Sequence, residues 1–149
     1  MTILRLSGDL WHRCASIART ALPNEACALL AGSLDSSNGG SVIVTGIHPV
    51  LNELASPTAF ALDGQSMIDA EEMIDASGRE VVGVMHSHPT SEAAPSERDV
   101  HDAARYDPAG TLVHLIVSMQ GFAPTIRAFR YAGSAGAPVE CDLVVSDRS

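Results

Sequence analysis

The sequence predicts an α/β fold of mixed type, a single domain with a mixed central sheet flanked by helices. Three observations carry that expectation. The chain has 149 residues, about the length of one ordinary domain. It is 46% hydrophobic and 18% charged, the balance of a globular chain with its own core. Helix-patterned and strand-patterned stretches alternate, without the strict βαβ regularity of an all-parallel sheet. No internal repeat or linker divides the sequence, so one domain over residues 1–149 is expected.

Each element has its own local reason. Ser7 is placed to cap a first helix, and Asp9 sits where the helix dipole favours an acid. Leu10, Cys14, Ile17, Ala18, Ala21 and Leu22 follow helical spacing, and Pro23 stops the run. Residues 26–31 are a short apolar run closed by Gly32, suited to a buried strand. Residues 35–40 are turn-rich, and the β-branched residues 41–47 read as the returning strand of a hairpin. Residues 48–57, with two prolines, read as irregular. Asp63 is placed to cap a second helix carrying Met67, Ile68, Ala70, Met73 and Ile74 on one side, with Gly78 as its stop. Residues 80–85 form a strand that runs into His86-Ser87-His88-Pro89. A Pro-bounded loop covers 90–95, and Ser96 opens a third helix lasting to about Tyr106. Residues 112–118 are nearly continuous apolar, as a central strand is, and 124–131 and 138–145 read as two more strands.

Charge excludes several function classes. Eighteen acidic residues stand against nine basic ones, for a net charge of −9. All nine basic residues are arginine, a pattern that Arg-biased codon usage accounts for. Without lysine there is no Walker-type phosphate loop, no Schiff base, and no side-chain site for isopeptide tagging of the chain itself. A surface of this sign repels phosphate backbones, so nucleic acid is not expected as a partner. No run approaches the ~20 apolar residues of a membrane span, and the N-terminus lacks a secretory signal's apolar run, so a soluble, cytoplasmic protein is expected. Cys14, Cys27 and Cys141 form no C-x-x-C pair, which leaves a thiolate zinc site unsupported; Cys14 and Cys27 fall at apolar-patterned positions.

The chemistry concentrates between His86 and Asp99. His86 and His88 are two apart at the end of a strand, so both imidazoles face the same way. Asp99 follows eleven residues later, in the first turn of a helix. Two imidazoles and a carboxylate make a three-ligand zinc set with a fourth position open for water, whose pKa zinc can lower from ~15.7 to about 7. Ser96 and Asp99 form S-x-x-D, which is also a helix capping box. A hydrolytic site needs a base. Glu25, Glu53, Glu80, Glu92 and Glu97 are candidates, and Glu25, just before an apolar strand, is best placed for burial to raise its pKa. H-E-x-x-H, the deaminase H-x-E…P-C-x-x-C, G-x-S-x-G and G-x-G-x-x-G are all absent.

The spacing H-x-H-x7-S-x2-D, with an upstream Glu in P-N-E-A-C-A-L-L-A-G, resembles the signature of the JAMM (MPN-plus) metallopeptidases. Residues 52–63, N-E-L-A-S-P-T-A-F-A-L-D, look like a segment that bacterial members carry between hairpin and helix. The resemblance runs from about Leu10 to Tyr131. It implies an MPN-like fold, a mixed sheet with packed helices related in outline to cytidine deaminase. It further implies one Zn2+ held by His86, His88 and Asp99, proton transfer by Glu25, and an oxyanion hydrogen bond from Ser96. Such a donor is worth about 2.7–4 kcal/mol where one is removed. Two positions depart from the family pattern: Ala28, where Gly is common, and Val84-Met85, where an aromatic is common. Neither is among the five functional positions.

The family cleaves bonds after the C-terminal Gly-Gly of ubiquitin-fold proteins. Its small stand-alone bacterial members resemble peptidases of sulfur-carrier proteins, and the chain has little room for the insertions by which eukaryotic deubiquitinating members hold ubiquitin. A carrier with a C-terminal Gly-Gly is therefore the expected partner, since an extended Gly-rich tail can add at a sheet edge. The alternatives are an isopeptidase acting on modified lysines and a non-catalytic MPN scaffold. Among the remaining residues, His12 and His101 are expected at the surface and His114 as a satisfied core histidine. Trp11 is expected between helix and sheet, and His48 has no assigned role.

Overall fold

The computed structural model describes residues 2–35, 40–131 and 136–146. Its elements are β1 (Ile3–Ser7), α1 (Gly8–Ala21), β2 (Cys27–Asp35), β3 (Ser41–Val50), α2 (Gly64–Ala76), β4 (Glu80–His88), α3 (Glu97–Tyr106), β5 (Val113–Ser118), β6 (Thr125–Tyr131) and β7 (Pro138–Ser146). The α/β class is as expected, and the mixed sheet closes on itself in the order β1-β3-β2-β4-β5-β6-β7. The pairs β1–β3, β1–β7 and β4–β5 are parallel, and the others antiparallel.

Three strands differ from the sequence reading. The strand β1 was not expected: it is five residues long, and its pairing with both β3 and β7 leaves neither edge free. The strand β2 does not end at Gly32 but runs through it to Asp35, across register shifts opposite both neighbours. A Cβ at Gly32 would run into the Ile43 carbonyl oxygen, so this glycine marks a close backbone approach rather than a strand end. The strand β3 continues past 47 through Pro49 to Val50. The β1 ladder on its outer side reaches only Val42 and Ile43, so no neighbour there needs the N–H that Pro49 lacks. The expected turn falls largely on 36–39, outside the described residues.

The helix caps follow the sequence. The Ser7 side chain accepts from the Leu10 amide at 3.2 Å, and Asp63 accepts from the Ser66 amide at 3.0 Å. Gly78 lies in the left-handed region (φ 77) just past α2. The core has two layers. Cys14 and Ala18 of α1 pack with Leu4, Leu6, Leu30, Val42, Met85 and Leu115 on one face, with Trp11 half-buried beside them. Ala70 and Ile74 of α2 pack with Cys27, Leu29, Ala31, Val84 and Phe60 on the other. The alternation along β2 and β4 therefore points His86 and His88 to the α2 side, at the strand end where β2 begins.

Candidate metal centre

The end of β4 carries His86, Ser87 and His88, all buried. Ser87 points away from the two histidines and ties β4 to the start of β2. Its Oγ accepts from the Ala26 amide at 2.8 Å, and its own amide donates to the Ala26 carbonyl at 3.1 Å. Glu25 is thereby held beside the histidines. A second tie comes from Asn52, whose Nδ2 donates to the Glu25 carbonyl (3.1 Å) and the Ala59 carbonyl (3.0 Å). Its Oδ1 accepts from the Leu54 and Ala61 amides, both at 3.1 Å. Every hydrogen-bonding position of that amide organises residues 52–61 around the site.

The helix α3 brings in Asp99. Ser96 and Asp99 form the reciprocal capping box: Ser96 Oγ accepts from the Asp99 amide at 3.0 Å, and Asp99 Oδ2 accepts from the Ser96 amide at 2.9 Å. The same Oδ2 lies 3.2 Å from His86 Nε2 and 3.0 Å from His88 Nε2, and the two Nε2 atoms are 3.2 Å apart. Capping and convergence on the histidines are thus one arrangement. Ser96 is exposed, and its hydroxyl proton is not consumed by the cap, because the oxygen there only accepts.

Electrostatics prepare these groups for different tasks. Burial pushes the Glu25 carboxyl up to about 7, with His88 and Arg98 pulling the other way and Asp99 adding to the rise. Burial works against ionised Asp99, yet its hydrogen bonds to His86 and His88 prevail and hold it well below the usual carboxylate range. Burial lowers the His86 pKa against the pull of Asp99. Burial would lower His88 too, but the Asp99 carboxylate and the Glu92 carbonyl, 2.8 Å from its Nδ1, raise it.

The donor set fits zinc. A tetrahedral ion with bonds of ~2.0–2.1 Å separates its ligand atoms by about 3.3 Å, close to the 3.0–3.2 Å triangle of His86, His88 and Asp99. Two buried polar atoms here, Glu25 Oε1 and His86 Nδ1, have no hydrogen-bond partner among the described residues. A Glu25 carboxylate oxygen lies within 4.8 Å of ring nitrogens of both histidines. Phe60 stacks on His86, with centroids 4.5 Å apart and planes at 21°, and shields one side of the ring.

All five sequence-derived residues, Glu25, His86, His88, Ser96 and Asp99, lie in or beside this cluster. Ser87, inside the H-S-H-P run, and Asn52 and Phe60, inside the segment 52–63, position them and had no role assigned from the sequence. Glu92 contributes only its carbonyl. His114 is a buried core histidine, its Nε2 2.9 Å from Asp107 Oδ2, and His12 and His101 are exposed, as expected.

Comparison with known proteins places the chain in a family. A family model described as prokaryotic homologs of the JAB domain matches residues 7–132. The chain is 40% identical over 78 residues to a desampylase of Haloferax volcanii, 52% of either chain, so the match spans about half of that relative's length. It is 32% identical over 111 residues to a CysO-cysteine peptidase of Mycobacterium tuberculosis, covering 74% of this chain and 73% of that one. The solution structure of a protein from Desulfitobacterium hafniense superposes with a TM-score of 0.83 at 28% identity, covering 100% of this chain and 96% of that one.

Proposed function

The chain belongs to the prokaryotic JAB-domain family, and from that premise we propose that it is a zinc metallopeptidase. Its substrate is the peptide bond after the C-terminal Gly-Gly of a ubiquitin-fold, sulfur-carrier-type protein. The observation that carries this reading is the convergence of His86, His88 and Asp99 beside the buried Glu25, whose Oε1 has no hydrogen-bond partner among the described residues. The likeness to a peptidase and a desampylase supports the substrate class. The likeness to the desampylase also carries a second reading, an isopeptidase that frees a ubiquitin-like modifier from lysines.

His86, His88 and Asp99 would hold the zinc, which when bound supplies Lewis acidity. Glu25, with a carboxyl poised near neutral pH, takes a proton from the attacking water and hands it to the leaving amine. Asp99 stays ionised beside its histidine partners. The Ser96 hydroxyl, exposed at the mouth, donates to the developing oxyanion. An apolar groove of about 500 Å³, bounded by Ile17, Thr20, Val50 and Leu51 and holding Glu25 in its wall, suits an uncharged Gly-Gly tail. Residues 1–149 act as one domain. Neither nucleic acid nor membrane is a partner in this reading. Among the described residues no helix is long and apolar enough to cross a membrane.

Glu25→Gln tests the assignment. The variant takes up zinc like the wild type but loses roughly 10²–10⁴-fold in cleavage of a Gly-Gly-extended carrier, because an amide accepts no proton. Wild-type cleavage by the variant removes Glu25 from the mechanism.

A further inference from the structure

A second depression, of about 460 Å³, shares none of the apolar groove's lining residues and lies within the ~300–1,000 Å³ range of small-ligand clefts. Leu54, Phe60 and Met67 form its apolar wall, and Arg98, Asp102 and Arg105 its polar one. Phe60 is shared with the site, since its ring stacks on His86. Arg98, Asp102 and Arg105 stand at i, i+4 and i+7 of α3, so they share one helix face, while Asp99 and Ala103 are buried on the other.

The charge of this pocket runs against the rest of the molecule. In a chain of net charge −9, its wall gathers two arginines against one aspartate. Asp102 engages Arg98 only at Nε, 3.2 Å away, and leaves the terminal nitrogens without a partner among the described residues. Arg105 is exposed and makes no ion pair with any described residue. Arg98 also lies near enough to Glu25 for its charge to act on that carboxyl. Two guanidinium groups on one helix face, Arg98 of them within electrostatic reach of Glu25, present the forked donors that match a carboxylate. By contrast, no cationic residue lines the apolar groove that holds Glu25.

We infer that Arg98 and Arg105 bind the free α-carboxylate of a short leaving group, so that the enzyme trims one or a few residues that end the chain just beyond Gly-Gly. The inference rests on the hydrolase reading above and goes further. It names the leaving side, with the side chain of the departing residue against Leu54, Phe60 and Met67. A lysine within a folded target protein offers no carboxylate at that distance from the scissile nitrogen, so the same pair disfavours an isopeptide substrate.

The test uses a ubiquitin-fold sulfur-carrier protein ending in Gly-Gly, extended by one alanine and prepared as free acid and as carboxamide. A third substrate carries the same tail on a lysine ε-amine of a folded protein. The zinc-loaded full chain should cleave the free acid with kcat/KM about tenfold or more above the carboxamide, the size expected of hydrogen bonds to a charged group. The double variant R98Q/R105Q should bring this ratio to about one, and R98K/R105K should restore part of it. General damage to the fold lowers both rates and leaves their ratio unchanged, so the ratio reads the carboxylate alone. Equal cleavage of acid and carboxamide by the wild type overturns the inference, as does a ratio that survives the double variant. Cleavage of the ε-linked substrate in preference to the free acid overturns it while keeping the hydrolase reading. Cleavage of none of the three removes the hydrolase reading itself, and the inference with it.

Discussion

Ala26 and Ser87 grip each other twice: the Ala26 amide donates to Ser87 Oγ at 2.8 Å, and the Ser87 amide donates to the Ala26 carbonyl at 3.1 Å. Both residues are buried, and each is next in sequence to a site residue, Glu25 on one side and His86 and His88 on the other. Ser87, which takes no part in the proposed chemistry, thus helps fix the distance between the proposed proton carrier and the histidines.

Ser87→Ala removes the acceptor and leaves the Ala26 amide buried without a partner. The expected cost is about 1–3 kcal/mol of folding stability. Activity should fall further than that loss explains, because Glu25 is no longer fixed against β4. Urea unfolding and steady-state kinetics on the same preparation check this. A variant with wild-type stability and turnover contradicts it.

Asn52 is the other support of Glu25. Asn52→Ala loses all four hydrogen bonds to Glu25, Leu54, Ala59 and Ala61. Asn52→Asp keeps the acceptor but sets a carboxylate against the Glu25 and Ala59 carbonyls. It should therefore be no more stable than the alanine variant, despite being closer in shape. Thermal melts of the pair decide the order, and an aspartate variant as stable as wild type contradicts the role.

The cysteines give a pH-dependent outcome. Burial pushes the Cys14 and Cys27 thiols up to about 12, and burial also raises Cys141. A raised thiol pKa means that the fold favours the protonated form. Stability is thus unaffected below the ordinary thiol pKa of about 8.5 and falls as pH climbs from there toward 12. The native protein should resist a thiol-specific disulfide reagent at about pH 8, and all three thiols should react once urea unfolds the chain. Rapid labelling of the native protein contradicts this burial.

Much of the site was legible because its residues lie at short, fixed spacings. His86 and His88 share a face by the period of a strand, and Ser96 and Asp99 meet through the geometry of a helix start. Glu25 sits 61 residues before His86: its place before an apolar strand made it the best candidate base, and the family resemblance tied it to the histidines. Ser87, Asn52 and Phe60 lay within quoted segments but had no role assigned, because they act through contacts that residue type does not reveal. In the fold, the helices were legible from their caps and stops. Gly32 misled because a glycine ending an apolar run also fits a close approach to Ile43 inside a continuing strand. The strand β1 was invisible for another reason: five residues carry little periodicity, and its partners β3 and β7 lie far along the chain.

The account stands on a metal held by His86, His88 and Asp99. The most direct measurement is elemental analysis of the purified wild type and of Asp99→Asn, side by side, after equal exposure to zinc. The account predicts about one zinc per chain in the wild type, as a three-ligand catalytic site holds, and much less in the variant. No zinc retained by the wild type, or equal zinc in both proteins, would contradict it and leave Ser96 and Asp99 as a helix cap alone.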